Sequence, residues 1–218
     1  MSDMPEPLSR TLWVGVILLF GLLSIVGLLS LAEVKSREIT LPIYGQVADF
    51  TLTNEAGQIT TLADLTNHVW VADIIFTRCA GPCPRMTGQM KSVQDLLAPD
   101  GNARLVTLTT DPDYDSPQVL TRYGEHYGAD FKRWIFLTGT KTEVAGLAAD
   151  SLKLGSTPVA PTNQLSAVDL FIHTTIFVLV DKHARLRGVF ETAGQDEDWE
   201  NNVRPLLLAD IRRLEREP

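Results

Sequence analysis

Apolar residues recur at three different spacings along this chain, and each spacing predicts a different element. Thr11 to Ala32 is apolar almost throughout, 22 residues without a charge. As a helix it would be about 33 Å long, enough to cross the hydrocarbon of a bilayer. Val69 to Phe76 is a β-branched and aromatic run ending at Thr77, the pattern of a buried central strand. From Pro84 to Leu97, the residues Met86, Met90, Val93 and Leu97 recur at steps of four, three and four. That places them on one face of a helix, and the face packs on the sheet.

The same reading extends to the rest of the chain. Asp49–Thr53 and Gln58–Leu62 alternate around Asn54–Gly57, which predicts a hairpin. Arg104–Thr109 reads as a second strand, and Ser116 and Pro117 open a helix with Val119, Leu120 and Tyr123 on its inner face. Phe131–Leu137 reads as a short strand and Thr142–Asp150 as a helix. A loop rich in Pro, Ser and Thr, Gly155 to Ser166, precedes a strand at Thr174–Val180. Arg185–Phe190 pairs with that strand through a turn at Asp181–Ala184. The last helix, Val203 to Glu215, presents Val203, Leu207, Ile211 and Leu214 on one face. Strands alternating with helices, then a closing hairpin and helix, predict a mixed α/β sheet.

The expected organisation is a tail at 1–10, an anchor at 11–32, a linker at 33–45 and one domain at 46–218. A cleavable signal peptide would have a shorter apolar region, and Ser30–Ala32 offers only a weak cleavage site, so an uncleaved anchor is expected. Lysine and arginine on its two sides barely decide its orientation. The chain carries a formal charge of −8. Setting aside Asp3, Glu6 and Arg10, whose net charge is −1, leaves −7 on residues 33–218. That acidity argues against a nucleic-acid partner.

Both cysteines of the chain, Cys79 and Cys83, lie in the turn between the central strand and its helix. Pro84 suits the first turn of that helix, where its missing N–H would have had no partner. The unpaired N–H groups and the positive dipole end favour thiolate there, and Arg78 adds a positive charge beside Cys79. At this spacing the two sulfurs can close a disulfide or grip one soft metal ion. A merely structural disulfide is a third reading, but a bridge over so short a loop removes little chain entropy and would be a poor staple. In α/β sheets reactive groups gather where loops leave the carboxyl ends of adjacent strands, and Asp111, Asp113 and Asp115 leave the neighbouring strand. Turn and capping roles are expected first of these three aspartates. Of the four histidines, His68, His126 and His183 read as solvent-exposed, while His173 immediately precedes an apolar strand.

The hairpin from Ala48 to Thr53, the segment Phe76–Pro84, the loop Thr110–Pro117 and the stretch His173–Asp181 occur in this order. The pattern resembles the Sco/SenC family of membrane-anchored, thioredoxin-like copper proteins, and the likeness covers nearly all of Ala48 to Phe190. The resemblance implies a thioredoxin-like fold, a mixed central sheet with flanking helices and an N-terminal hairpin, after one N-terminal transmembrane helix. It implies copper ligands at Cys79, Cys83 and His173, and thiolates with an imidazole suit soft Cu(I) on chemical grounds as well; Cu(II) is a second oxidation state to consider. Residues Ala80, Gly81 and Pro82 depart from the family in lacking the acidic residue common between the cysteines. Asp73 lies six residues before Cys79, the spacing at which thioredoxins keep a buried carboxylate that shuttles protons. The alternative is that its side chain points to water.

Three functions are consistent with these residues. The first is a Cu(I) metallochaperone serving the CuA centre of cytochrome c oxidase, with subunit II or another copper acceptor as partner. The second is a thiol-disulfide oxidoreductase, an enzyme that uses Cys79 and Cys83 alone to keep the acceptor's cysteines reduced. The third is a membrane-tethered interaction module. A peroxiredoxin is disfavoured, because the Pro and Thr pattern around a single reactive Cys is missing at Cys79. The resemblance further implies a single-pass protein with its amino terminus inside and its domain facing the periplasm or an equivalent oxidising space.

Overall fold

In the computed structural model, residues 13–26, 40–154 and 175–218 are described. Residues 13–26 form one helix, α1, whose apolar side chains from Trp13 to Val26 are exposed on every side. Among the described residues no helix is long and apolar enough to cross a membrane. The ends of the expected span, together with Gly155–Ser166 and His173, lie outside the described residues.

Residues 41–218 form a unit of their own around an eight-stranded sheet. Its strands are β1 (Gly45–Gln46), β2 (Thr51–Asn54), β3 (Ile59–Thr61), β4 (Val69–Ile75), β5 (Ala103–Thr109), β6 (Trp134–Thr138), β7 (Ile176–Val180) and β8 (Arg185–Glu191). The order across the sheet is β1-β8-β7-β4-β5-β6-β2-β3. β4, β5 and β6 run parallel, while β7 is antiparallel to β4. Every residue of β4 is buried, as expected of a strand covered on both faces.

Side chains alternate along β4 and feed two cores. Trp70, Ala72 and Ile74 join Leu52, Val144 and Leu147 on one face, beside α2 (Leu62–Leu65) and α5 (Lys141–Ala145). Val69 and Val71 join the other core, built by α3 (Cys83–Leu96), α4 (Pro117–Tyr127) and α7 (Arg204–Arg216), the last preceded by a short turn, α6 (Asp196–Asp198). The period of two puts Asp73 on this second face, under α3 and α4. The face read on α3 is the packed one, since Met86, Met90 and Val93 are buried in that core.

The hairpin forms as the sequence predicts: β2 pairs with β3, the Asn54 side chain accepts from the N–H groups of Ala56 (3.1 Å) and Gln58 (2.9 Å), and Gly57 supplies the positive φ of 76°. Other boundaries shift. α2 follows a capping box in which the Asp64 carboxylate returns to the Thr61 N–H at 2.7 Å, a signal present in the sequence as Thr61 and Asp64. The helix expected at 142–150 is a short α5 continued by a π-turn at Gly146–Ser151. The strand expected from Phe131 begins only at Trp134, because Arg133 and Trp134 donate back to the Asp130 carbonyl and prolong the preceding turn.

Candidate functional site

β4 ends at Ile75, and residues 76–82 leave it as an irregular turn before α3 begins at Cys83. Pro82 is the N-cap and already has helical dihedrals (φ −74°, ψ −24°), and Pro84 lies in the first turn. Two prolines with φ fixed near the helical value pre-form this end and sacrifice no intrahelical hydrogen bond. The two cysteines are free thiols, Cys79 half-buried in the turn and Cys83 buried at the helix start. The Gly81 N–H donates to Cys79 Sγ at 3.3 Å.

The helix start does not make Cys83 a thiolate. Burial pushes its thiol up to about 12, helped by the Cys79 sulfur beside it and, more weakly, by Asp73, against the lowering effect of the Phe76 backbone. The expectation that the helix dipole would favour thiolate is corrected for Cys83, because desolvation outweighs a partial charge of about half a unit.

Asp73 is fully buried, and among the described residues neither carboxylate oxygen has a hydrogen-bond partner. The water-facing alternative is excluded. Burial raises its pKa to about 7, and Thr107, its neighbour in register on β5, only partly offsets this. The Thr107 hydroxyl is engaged by Trp134 Nε1 at 2.9 Å, and no Thr107–Asp73 contact reaches hydrogen-bonding geometry. Asp73 also acts electrostatically on Tyr123, whose phenol is pushed up mainly by burial. Tyr123 shares a hydrogen bond of 2.8 Å with the Thr87 hydroxyl, which donates to the Cys83 carbonyl at 2.9 Å. Beneath Cys83, then, lies a low-dielectric region with few charges.

The aspartate loop approaches from β5. Its turn is closed by the backbone, with Tyr114 and Asp115 N–H groups donating to the Asp111 carbonyl. Its side chains meet partners outside the start of α4, and Ser116, the N-cap of α4, makes no side-chain capping bond. Asp111 pairs with Arg78 at 2.6 Å, and the Arg78 guanidinium lies 3.9 Å from the centre of the Tyr114 ring. Asp113 pairs with Lys141 at 2.5 Å in solvent. Asp115 is fully buried and accepts from the Thr77 N–H at 3.1 Å and from the hydroxyls of Thr77 and Thr109.

On the other side of α3, Arg85 donates to the carbonyls of Thr192 and Gly194, each at 2.7 Å. The Thr192 N–H donates to the Thr175 carbonyl at 2.7 Å. Neither Arg85 nor Thr77 is singled out by the sequence; the only hint is their place within a few residues of a cysteine. The remaining described histidines are engaged locally, His68 with the Asn102 carbonyl (3.0 Å), His183 with the Pro218 carbonyl (3.1 Å) and His126 against Tyr127. Of the residues read as site candidates, Cys79, Cys83 and Asp73 come together at one end of the sheet, while His173 is outside the described residues. Among the described residues no three metal-ligating side chains converge.

Comparison with known proteins agrees with this geometry. The SCO1/SenC family model matches residues 44–208. The SCO1 protein homolog of Bacillus subtilis is 32% identical over 154 residues, covering 70% of this chain and 77% of its own. The solved structure of BsSco, described as a member of the Sco family of cytochrome c oxidase assembly proteins with a disulfide switch, superposes with a TM-score of 0.66 at 27% identity. It covers 82% of this chain and 99% of its own. Bradyrhizobium japonicum ScoI with copper bound shares the fold, with a TM-score of 0.57 at 19% identity over 78% of this chain and 99% of its own. A family-specific match across most of the chain, joined to a paired-thiol turn on a thioredoxin-like sheet, places this protein in the SCO1/SenC family.

Proposed function

We propose that this protein carries Cu(I) on Cys79, Cys83 and His173 and hands it to an acceptor in cytochrome c oxidase assembly, the CuA centre of subunit II being the acceptor that the family suggests. Two adjacent sulfurs form a soft donor pair that suits Cu(I). The observation that carries the reading is the strut on the far side of α3. Arg85, two residues beyond Cys83, holds Thr192, and Thr192 holds Thr175. His173 precedes Thr175 by two residues, a reach of at most ~7 Å along the chain. β7 also runs antiparallel to β4, so the chain enters it from the sheet end where the cysteine turn leaves. Two sulfurs and one imidazole would leave a side open for transfer, and binding requires both thiols reduced, which couples copper loading to the redox state of the pair.

A second reading has its own support. The partnerless Asp73 lies beneath Cys83 and is suited to accept a thiol proton, the role expected in a thiol-disulfide oxidoreductase that reduces the acceptor's cysteines. The two readings differ in their need for His173.

We further propose that α1 belongs to a single membrane anchor over 11–32, with the amino terminus inside and the domain in the periplasm or an equivalent space. Its exposed apolar side chains support this. Release of the full chain from membranes by alkaline carbonate would overturn it.

The function is tested by anaerobic Cu(I) titration against a chromophoric chelator, with Cys79→Ser, Cys83→Ser and His173→Ala run beside the wild type. One equivalent is expected to bind, and each substitution should weaken it by more than the ~10–100-fold that the loss of an outer-shell partner costs. Wild-type affinity in His173→Ala, with dithiol exchange intact, would leave the oxidoreductase reading in its place.

A further inference from the structure

We infer that Asp115 is a positioning residue for the site, a clasp that fixes the Cys79 end of the thiol pair to the end of β5. This rests on the reading of Cys79 and Cys83 as the working pair.

The clasp is built from groups that have no other reason to meet. Thr77 is two residues before Cys79 and lies in the irregular stretch where neither sheet nor helix supplies hydrogen bonds. Its N–H and its hydroxyl both go to the Asp115 carboxylate, from a residue 38 positions later. The same carboxylate takes the hydroxyl of Thr109, the last residue of β5. That hydroxyl in turn accepts the Asp111 N–H at 3.0 Å, so the aspartate loop and the strand end are joined as one body. Asp115 is fully buried, and a buried carboxylate accepting three hydrogen bonds is strongly held in place.

Other restraints on the turn are weaker. Cys79 N–H reaches the Phe76 carbonyl at 3.1 Å, and Gly81 N–H reaches the Cys79 sulfur; both are contacts of the turn with itself. The Arg78–Asp111 pair is largely exposed on the arginine side and is a poor anchor in water. Cys83, by contrast, is fixed by α3 and the core below it. The separation and orientation of the two sulfurs therefore depend on how well Thr77 is held, and Asp115 holds it. A positioning error of about 1 Å at a reactive group is costly even when the group itself is intact.

Three variants and one control test this. Thr77→Val removes the hydroxyl donor and keeps the shape, Thr77→Ser keeps the hydroxyl, and Asp115→Asn keeps the size while losing acceptor capacity. Leu186→Ala, in the core on the opposite face of the sheet, supplies a loss of stability unconnected with the clasp. For each, the melting temperature, the Cys79–Cys83 dithiol potential against a glutathione buffer and the Cu(I) affinity by chelator competition are measured on the reduced protein. Thr77→Val and Asp115→Asn are expected to weaken Cu(I) by at least ~10-fold and to move the potential away from wild type, with Thr77→Ser close to wild type. Leu186→Ala should lower the melting temperature and leave both site readouts unchanged. The inference is overturned if Thr77→Val, folded, keeps the wild-type potential and affinity, or if Leu186→Ala shifts them as far. Should the wild type bind no Cu(I) more tightly than Cys79→Ser, the copper reading fails, and the clasp is still judged by the potential alone.

Discussion

Cys79 and Cys83 are four residues apart, yet one is held in a turn by distant side chains and the other in a helix by burial. Around Cys79 the restraints are polar and long-range, from Asp115 to Thr77 and from Asp111 to Arg78. Around Cys83 they are apolar, with Met86, Met90 and Phe177 in the core below and a single unpaired carboxylate, Asp73, among them. The consequence is a division of chemistry. The Cys79 sulfur is the more open of the two to an outside partner, while the Cys83 sulfur is sheltered at the start of a helix. Desolvation sets this asymmetry more strongly than the helix dipole, which would have acted on Cys83 in the opposite sense.

The largest effect that would break the comparison belongs to the buried side. Asp73 has a native pKa of about 7 against an ordinary 3.8, so between those values the folded protein binds more protons than the unfolded chain. Its contribution must therefore reduce stability as pH rises from about 4 to about 7, and change no further above that. Between pH 5 and pH 8 the loss from this one group comes to about 3 kcal/mol, at roughly 1.4 kcal/mol per unit. Carboxylates whose pKa is lowered, Asp64 and Asp181 among them, act in the opposite sense at lower pH, and Cys83 and Tyr123 are the titratable groups that Asp73 faces. The informative quantity is accordingly a difference: urea unfolding of reduced wild type and Asp73→Asn at pH 5 and pH 8. The variant should gain relative to wild type as pH rises. An equal gap at both pH values would mean that Asp73 is not the isolated carboxylate it is taken to be.

A smaller effect sharpens the contrast directly. In the reduced protein at pH 8, alkylation by iodoacetamide followed by peptide mapping should modify Cys79 at least ~100-fold faster than Cys83, since burial both shields the Cys83 sulfur and raises its pKa. Equal rates would mean that Cys83 is not sheltered and that the two ends of the pair are chemically alike.

How much of this was legible in the sequence follows from the range of the forces involved. Strands β2 to β5, β7 and β8, the hairpin around Asn54–Gly57 and the helix face of Met86, Met90 and Val93 are encoded locally, by periodicity and turn chemistry, and they are found close to where the pattern puts them. By contrast, β1 at the end of the expected linker carries no such pattern, and β6 begins three residues late. The π-turns at Gly146–Ser151 and Trp199–Val203 have no such local mark and are set by packing. At the site, the paired cysteines and the depth of Asp73 in an apolar strand could be read, but not which way Asp73 faces; alternation with Val69 and Val71 decides it once those two are known to point at α3. Asp115 was read as a turn residue, as Asp after a strand usually is, because a clasp to Thr77 spans 38 positions and only the fold brings the two together. Arg85 and Thr192 carry no local signal for the same reason, being 107 positions apart.

The smallest expected effect is the most useful control, because it comes from the same five-residue loop. Asp113 and Asp115 are two positions apart, and each meets a partner outside the loop. Asp113 meets Lys141 with both side chains more than half exposed, whereas Asp115 meets Thr77 and Thr109 out of solvent. An ion pair in water gains little, since the charges are already well solvated and holding two flexible side chains together costs entropy. Asp113→Ala should therefore leave the melting temperature, the dithiol potential and the alkylation rate of Cys79 at wild-type values, while Asp115→Asn changes all three. If Asp113→Ala moved the potential as far as Asp115→Asn does, what matters at the Cys79 end would be the loop's total negative charge. Because the two aspartates share a loop and a sign of charge, burial and hydrogen bonding to the cysteine turn are the variables left to separate them.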